Sequence, residues 1–185
     1  IAAKIEDGKV LVTSAIASQE YTKAGETYEW VETAAGDLNT GDVIVITYLT
    51  AEKYYAASHG SLNTKGAPTV TQISVEDNKA EAPADALQWT VNVTDDGYQF
   101  KSGSNYLYGT ADNNGMRVGT TEMTFTIEAT TDANGGGNYL KFTDSKSTDR
   151  YVGVYDTTDV RCYTSVNTNI KNQALVFFVK TLVEE

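Results

Sequence analysis

Apolar and polar residues alternate over short runs along this chain, and apolar positions almost nowhere recur at helical spacing. The runs are "KVLVTS", "TYEWVE", "DVIVITYL", "TVTQISV", "LQWTVNV", "GYQFKSG", "NYLYGT", "MTFTIEA", "NYLKFTD", "RYVGVY", "VRCYTS" and "ALVFFVK". A period of two puts the apolar side chains on one face, the signature of a half-buried strand. The breaks fall at Asp7-Gly8, Ala24-Gly25, Gly36-Asp37, Asp96-Gly97, Asn114-Gly115 and the run from Asn134 to Gly137. These are residue types that tolerate the left-handed backbone of tight turns. One stretch departs from the pattern: "AEAPADAL", Ala80 to Leu87, predicts a single helical turn before a strand. Many short strands with such turns predict an all-β barrel or sandwich.

Two local forms alternate strictly along the chain. "KYYAAS" at Lys53, "NYLYGT" at Asn105 and "RYVGVY" at Arg150 share a leading tyrosine: Tyr54, Tyr106 and Tyr151. "LQWTV" at Leu87, "MTFTI" at Met123 and "LVFFV" at Leu175 share an apolar-x-aromatic-x-aliphatic form. One strand precedes each member of the first form, and one more separates the two forms ("TVTQISV", "GMRVGT", "VRCYTS"). Three units of four strands, from about Val43 to Lys180, are the plan of a β-trefoil: six strands close a barrel and three hairpins cap it. In that plan Trp89, Phe125 and Phe177 are equivalent core residues, and the longest insertion is "SVEDNKAEAPADA" in the first unit. The β-trefoil domain is expected over residues 28–185, with residues 1–27 as a β-hairpin extension or arm. "AKIEDGKVLV" reads there as one hairpin and "QEYTKAGETYEWVE" as another. A lone hairpin is marginal, so the arm is expected to pack on the barrel, belong to a preceding domain, or pair with another chain as a homo-oligomer contact.

Composition narrows the partners more than the chemistry. The 185 residues carry a net charge of −11, with acidic residues spread along the chain. Nucleic acid needs a basic face, and none is expected. No apolar run reaches the roughly 18–20 residues of a membrane-spanning helix, so no membrane insertion is expected. The first residue is Ile1, with no basic leader or apolar segment before the first strand, which reads as a mature or trimmed form. One cysteine, Cys162, cannot form an internal disulfide.

Catalytic signals are sparse. The single histidine, His59, falls in "ASHGSLN", read as a turn, either as a plain surface residue or as part of a site. Cys162 sits inside an alternating strand and is expected in the core. No nucleophile elbow, phosphate loop or zinc-protease motif occurs, so no enzyme and no cofactor are expected. "TDDG" (Asp95, Asp96) and "ADNNG" (Asp112, Asn113, Asn114, Gly115) resemble calcium-loop fragments. They lack spaced ligands ending in a bidentate Glu, and read as turn chemistry; no metal site is expected.

Binding is the stronger expectation. Sugars call for an aromatic face plus Asp, Asn or Arg, and "RYVGVYDTTDVRCYTS" mixes these most densely. Its turn should gather Tyr155, Asp156, Asp159, Arg161 and Tyr163. The corresponding sets are Tyr108, Asp112 and Asn114 in the second unit, and Tyr55, His59 and Asn63 in the first. The competing reading of all three is a structural hairpin whose tyrosines pack.

The layout "GDVIVITYLTAEKYYAAS … LQWTV … GYQFKSGSNYLYGT … MTFTI … RYVGVYDTTDVRCYTS … ALVFFVK" resembles a repeated module of secreted and surface proteins of Bacteroidetes, over roughly Tyr28 to Lys180. The resemblance implies secretion or cell-surface use beside glycans or adhesive surface proteins, and transfers no active site. Ricin-type lectin trefoils carry Gln-x-Trp in the fourth strand of each unit. Here Gln88 directly precedes Trp89, and Thr124-Phe125 and Val176-Phe177 stand in the other units, so no lectin sugar ligands carry over. The expectation is a non-catalytic, lectin-like carbohydrate-binding module, the alternative a structural or adhesive interaction domain.

Overall fold

The computed structural model describes residues 3–6, 9–12, 26–112, 114–130 and 137–183. Among these the alternating runs become seventeen strands: β1 (Ala3–Glu6), β2 (Lys9–Val12), β3 (Thr27–Thr33), β4 (Val43–Thr50), β5 (Lys53–Leu62), β6 (Pro68–Ile73), β7 (Val75–Glu76), β8 (Lys79–Ala80), β9 (Gln88–Thr94), β10 (Gly97–Ser102), β11 (Asn105–Gly109), β12 (Met116–Gly119), β13 (Thr126–Thr130), β14 (Gly137–Thr143), β15 (Asp149–Tyr155), β16 (Asp159–Tyr163) and β17 (Ala174–Val183). Two single helical turns, Ala35–Asp37 and Asp85–Leu87, complete the regular structure. The second is the turn that "AEAPADAL" predicts.

The protein is all-β, and fifteen of the strands form one open antiparallel sheet. β4 is its hub, pairing with β5, β9 and β17. From β9 the pairing passes to β10, and a bridge between Tyr98 and Phe125 joins β10 to the segment leading into β13. β13 pairs with β14, β14 with β15, and β15 with β16. Among the described residues no ladder joins β14 to β17, and the sheet is open at that seam. Three hairpins, β5–β6, β11–β12 and β15–β16, project from this frame. They touch one another through an Asp159–Thr69 pair and a Gly115–Arg161 bridge. The β1–β2 hairpin predicted in "AKIEDGKVLV" forms a separate two-stranded sheet. Ala24-Gly25, the expected centre of the second N-terminal hairpin, lies outside the described residues. Downstream of it, β3 pairs with β17 in the main sheet.

Alternation sends one face of each strand inward. Tyr48, Phe100 and Leu140 are fully buried, faced across their ladders by Leu175, Val91 and Ile127. Trp89, Phe125 and Phe177 are buried in the same cluster, but at two levels. Trp89 and Phe125 precede Val91 and Ile127 by two positions, whereas Phe177 follows Leu175 by two. The Trp89 ring is fully buried and its Nε1 donates to the Ala57 carbonyl (2.9 Å), so burying it strands no donor. Tyr48 is the exception: its buried hydroxyl has no hydrogen-bond partner among the described residues. Gly109 lies close against the Phe142 ring, where a Cβ would overlap Cζ.

A second apolar layer covers the outer face of β4 and β17. Trp30, Val45, Ala56, Ile73, Ala80, Leu87 and Phe178 pack there. Three of these residues come from the segment read as a loop insertion or its flanks. It folds instead into the β7–β8 hairpin and a helical turn, because Ala80 and Leu87 supply apolar anchors and Asp77-Asn78 adopt positive φ.

Candidate functional site

The third hairpin brings together the side chains that its sequence suggests, but most are spent on one another. Tyr155 and Asp159 face each other across the turn, and Asp156 and Thr157 take positive φ (48° and 52°) to close it. Asp159 is buried, and its carboxylate accepts from Arg161 Nε (2.6 Å) and from Asn63 Nδ2 (2.9 Å). Asn63 in turn accepts from the Lys65 and Ala67 backbone N–H groups. The Arg161 guanidinium lies 3.8 Å above the centre of the Tyr155 ring and covers one of its faces. Tyr163 is buried with Tyr139, Val166 and Ile170, and burial pushes its phenol above the usual range. Arg161, Asp159 and Asn63 therefore form a satisfied clasp between the first and third hairpins. Tyr163 belongs to the core beneath it.

The other side of the same turn is different. A depression of about 480 Å³ is lined by Thr50, Tyr155, Asp156, Thr157, Thr168, Asn169, Lys171 and Gln173. Asp156, Thr168, Asn169 and Lys171 are exposed, and none of their side chains has a hydrogen-bond or ion-pair partner among the described residues. Gln173 forms part of the rigid floor, its amide donating to the Val154 carbonyl (2.6 Å) and accepting from the Val154 N–H (2.8 Å). Pairing the side chain with backbone requires close approach, and Gly153 permits it: a Cβ there would crowd Ile170 and Gln173 Oε1. The loop 164–173 shows no periodicity in the sequence, so Asn169 and Lys171 carry no signal there. Their place on the site comes from the Ile170 side chain, which is fully buried between them and anchors the loop.

The matching sets in the other units do not assemble. Tyr55 is half-buried against the main core, and Asn63 is committed to the clasp. His59 is not on a turn, because β5 runs through it to Leu62 with an irregular register. Its Nε2 lies 3.0 Å from the Asp85 carbonyl and so donates to it. Its Nδ1 lies 3.0 Å from Ser102 Oγ, and its ring meets Trp89 edge-on. His59 is thus a cross-link between β5, the Asp85–Leu87 turn and β10. In the second unit Tyr108 is half-buried on β11, facing Arg117. Asp112 forms an exposed ion pair with Lys146 (2.6 Å), which contributes little to stability. The Asn114 backbone carbonyl accepts from the Cys162 N–H (3.1 Å), and its Oδ1 accepts from Arg150 Nη1 (3.5 Å). Asn113 lies outside the described residues.

Two polar networks brace β14 and β15. Arg150 and Asp144 form a buried ion pair (2.6 Å), and Arg150 also donates to the Ala111 carbonyl (2.6 Å). Arg150 holds the Asp144 carboxyl below the usual range, aided by the Thr148 and Lys146 N–H groups. On the outer face Lys141 bridges Glu128 (2.7 Å) and Asp149 (2.9 Å), and both carboxyls are lowered chiefly by it. Cys162 is fully buried, and burial pushes its thiol up to about 11, which keeps it protonated at neutral pH. Among the described residues no group of three or more His, Cys, Asp or Glu side chains could hold a metal ion. Among the described residues no helix is long and apolar enough to cross a membrane.

Comparison of the chain with protein-family models gives no match, and comparisons with curated proteins and with solved structures give none either.

Proposed function

We propose that this chain is a non-catalytic, lectin-like carbohydrate-binding module of β-trefoil arrangement, used by a secreted or surface protein. The trefoil reading is supported by the three hairpins that meet through Asp159–Thr69 and Gly115–Arg161. The circuit β4–β9–β10–β13–β14, which returns to β4 through β17 once the open seam is crossed, supports it too. The secreted or surface setting rests on the strand-motif resemblance alone.

The single observation that carries the binding reading is the depression beside Asp156. It offers a carboxylate, an ammonium, a carboxamide and hydroxyls from Asp156, Lys171, Asn169, Thr157 and Thr168 around the half-buried Tyr155. Such convergent, uncommitted donors and acceptors suit the hydroxyls of a sugar. With Arg161 over one ring face, Tyr155 contributes its edge and hydroxyl more than an open stacking platform. Because the first and second sets are dispersed, the reading is of one site, with avidity left to the parent protein or its assembly. A non-catalytic role fits a buried protonated Cys162 and a His59 engaged at both ring nitrogens. A soluble-polysaccharide array read at millimolar sensitivity should return at least one ligand; silence across the array would sink the proposal.

A structural or adhesive role is the second reading, and the separate β1–β2 sheet favours it. Removing residues 1–26, which leaves β3 whole, separates the two. Loss of self-association with glycan binding retained supports the module reading, whereas loss of assembly in a chain that binds no glycan supports the adhesive one.

A further inference from the structure

A second depression, of about 430 Å³, lies at the open seam of the sheet. β3 parts from β17 beyond the Thr33–Phe177 pair, where the chain turns into Ala35–Asp37. β14 enters from the opposite side, with Gly137 so close to the Gln173 carbonyl that a Cβ would overlap it. In the wedge between, Leu175 has a ladder partner among the described residues on the β4 side only. The Val176 carbonyl accepts from Thr47 Oγ1 on that same side (2.8 Å). Alternation along a strand then turns the Leu175 backbone groups the other way, into the wedge.

The floor of this depression is apolar, from Ile127, Leu175 and Phe177, and its rim is polar, from Glu32, Asn78 and Asn138. All three rim residues are exposed, and their side chains have no partner among the described residues. Among the described residues that line it, Glu32 is the one that carries a charge. A carboxylate and two carboxamides above an apolar floor match an ammonium group on a flexible alkyl stem. The stem lies on the floor, and the ammonium donates to Glu32 and the amide carbonyls. An anionic ligand would instead meet Glu32 inside the field of a chain of net charge −11. We propose that this depression receives a lysine side chain presented by a partner protein. It shares no residue with the depression beside Asp156 and stands independently of the carbohydrate reading.

The test is a titration of the whole chain, followed by backbone amide shifts, with Nα-acetyl-lysine methylamide and its neutral counterpart Nα-acetyl-norleucine methylamide. The lysine compound should move resonances of residues 32–35 and 174–177, and the norleucine compound should bind more weakly. Glu32→Gln should weaken the lysine compound about threefold to fivefold, the size an exposed charge pair supports. Glu32 is exposed, so the variant should keep the parent spectrum elsewhere. Asp156→Asn should leave this binding unchanged, so failure here is distinct from failure of the glycan site. The proposal is overturned if no shifts appear at millimolar ligand, if both compounds bind equally, or if Glu32→Gln changes nothing.

Discussion

Asp156 and Asp159 belong to one turn and meet opposite fates. Asp159 is buried and satisfied by Arg161 and Asn63, whereas Asp156 is exposed and has no side-chain partner among the described residues. The three-residue reversal Asp156–Thr158 separates them, turning one carboxylate onto the neighbouring hairpin and the other toward the 164–173 loop. The lesson is that a dense cluster of polar and aromatic residues can be mostly fastening. Function, where it exists, is to be sought among the groups that the fold has left unpaired. Asp159 fixes the shape, and Asp156 sits beside a depression that the shape creates.

Each side of this contrast can be broken separately. The largest effect is expected from Arg150→Ala on the inward side of β15, which leaves the buried Asp144 without its cation. A loss of about 3 kcal/mol in denaturant unfolding is expected. Next, Asp159→Ala should strand the Arg161 and Asn63 donors and cost about 1–3 kcal/mol. Combined with Asn63→Ala it should cost less than the sum of the single losses, since the two share a hydrogen bond. A melting temperature insensitive to Asp159→Ala would show that the clasp is decorative.

Acid titration probes the fastening side without mutation. The Asp144, Asp149 and Glu128 carboxyls are all held below their ordinary range in the folded chain. Their contribution is therefore fully present above the unfolded-state values of about 4 and is lost as pH falls through the folded ones. Stability should be flat from neutral pH to about pH 5 and fall below about pH 4. Arg150→Ala should flatten that fall.

Smaller effects belong to the open side. Thr157→Gly removes a branched side chain from positive φ and should raise stability by about 1 kcal/mol. Asp156→Asn and Lys171→Gln should each leave stability within about 0.5 kcal/mol of the parent chain. If either proves strongly destabilising, the open side is also a fastening and the contrast fails.

The sequence made the strands legible because alternation and turn residues act locally. "NYLKFTD", "RYVGVY" and "VRCYTS" all form strands, and Cys162 lies in the core. What alternation cannot carry is which polar group meets which neighbour from a distant segment. The division between Asp156 and Asp159 depends on Asn63, about a hundred residues away in sequence. The turn-forming residues of "SHGS" predict a turn at His59, yet His59 lies within β5 and its ring bonds to Asp85 and Ser102. Asn169 and Lys171 lie in an aperiodic loop whose course is set by the buried Ile170, and no local pattern marks them. The level of Phe177 is likewise absent from the pattern of its own strand, since ladder register is a property of two strands, not one.

The most direct measurement is an amide-shift titration of the parent chain, and of the Asp156→Asn/Lys171→Gln double variant, with a glycan taken from the array. Shifts are expected at Tyr155–Thr157 and Thr168–Lys171, with an affinity about tenfold lower in the double variant at unchanged stability. Shifts confined to the Asn63–Asp159–Arg161 clasp or to the other two hairpins, or equal affinity of the two chains, would contradict a site beside Asp156.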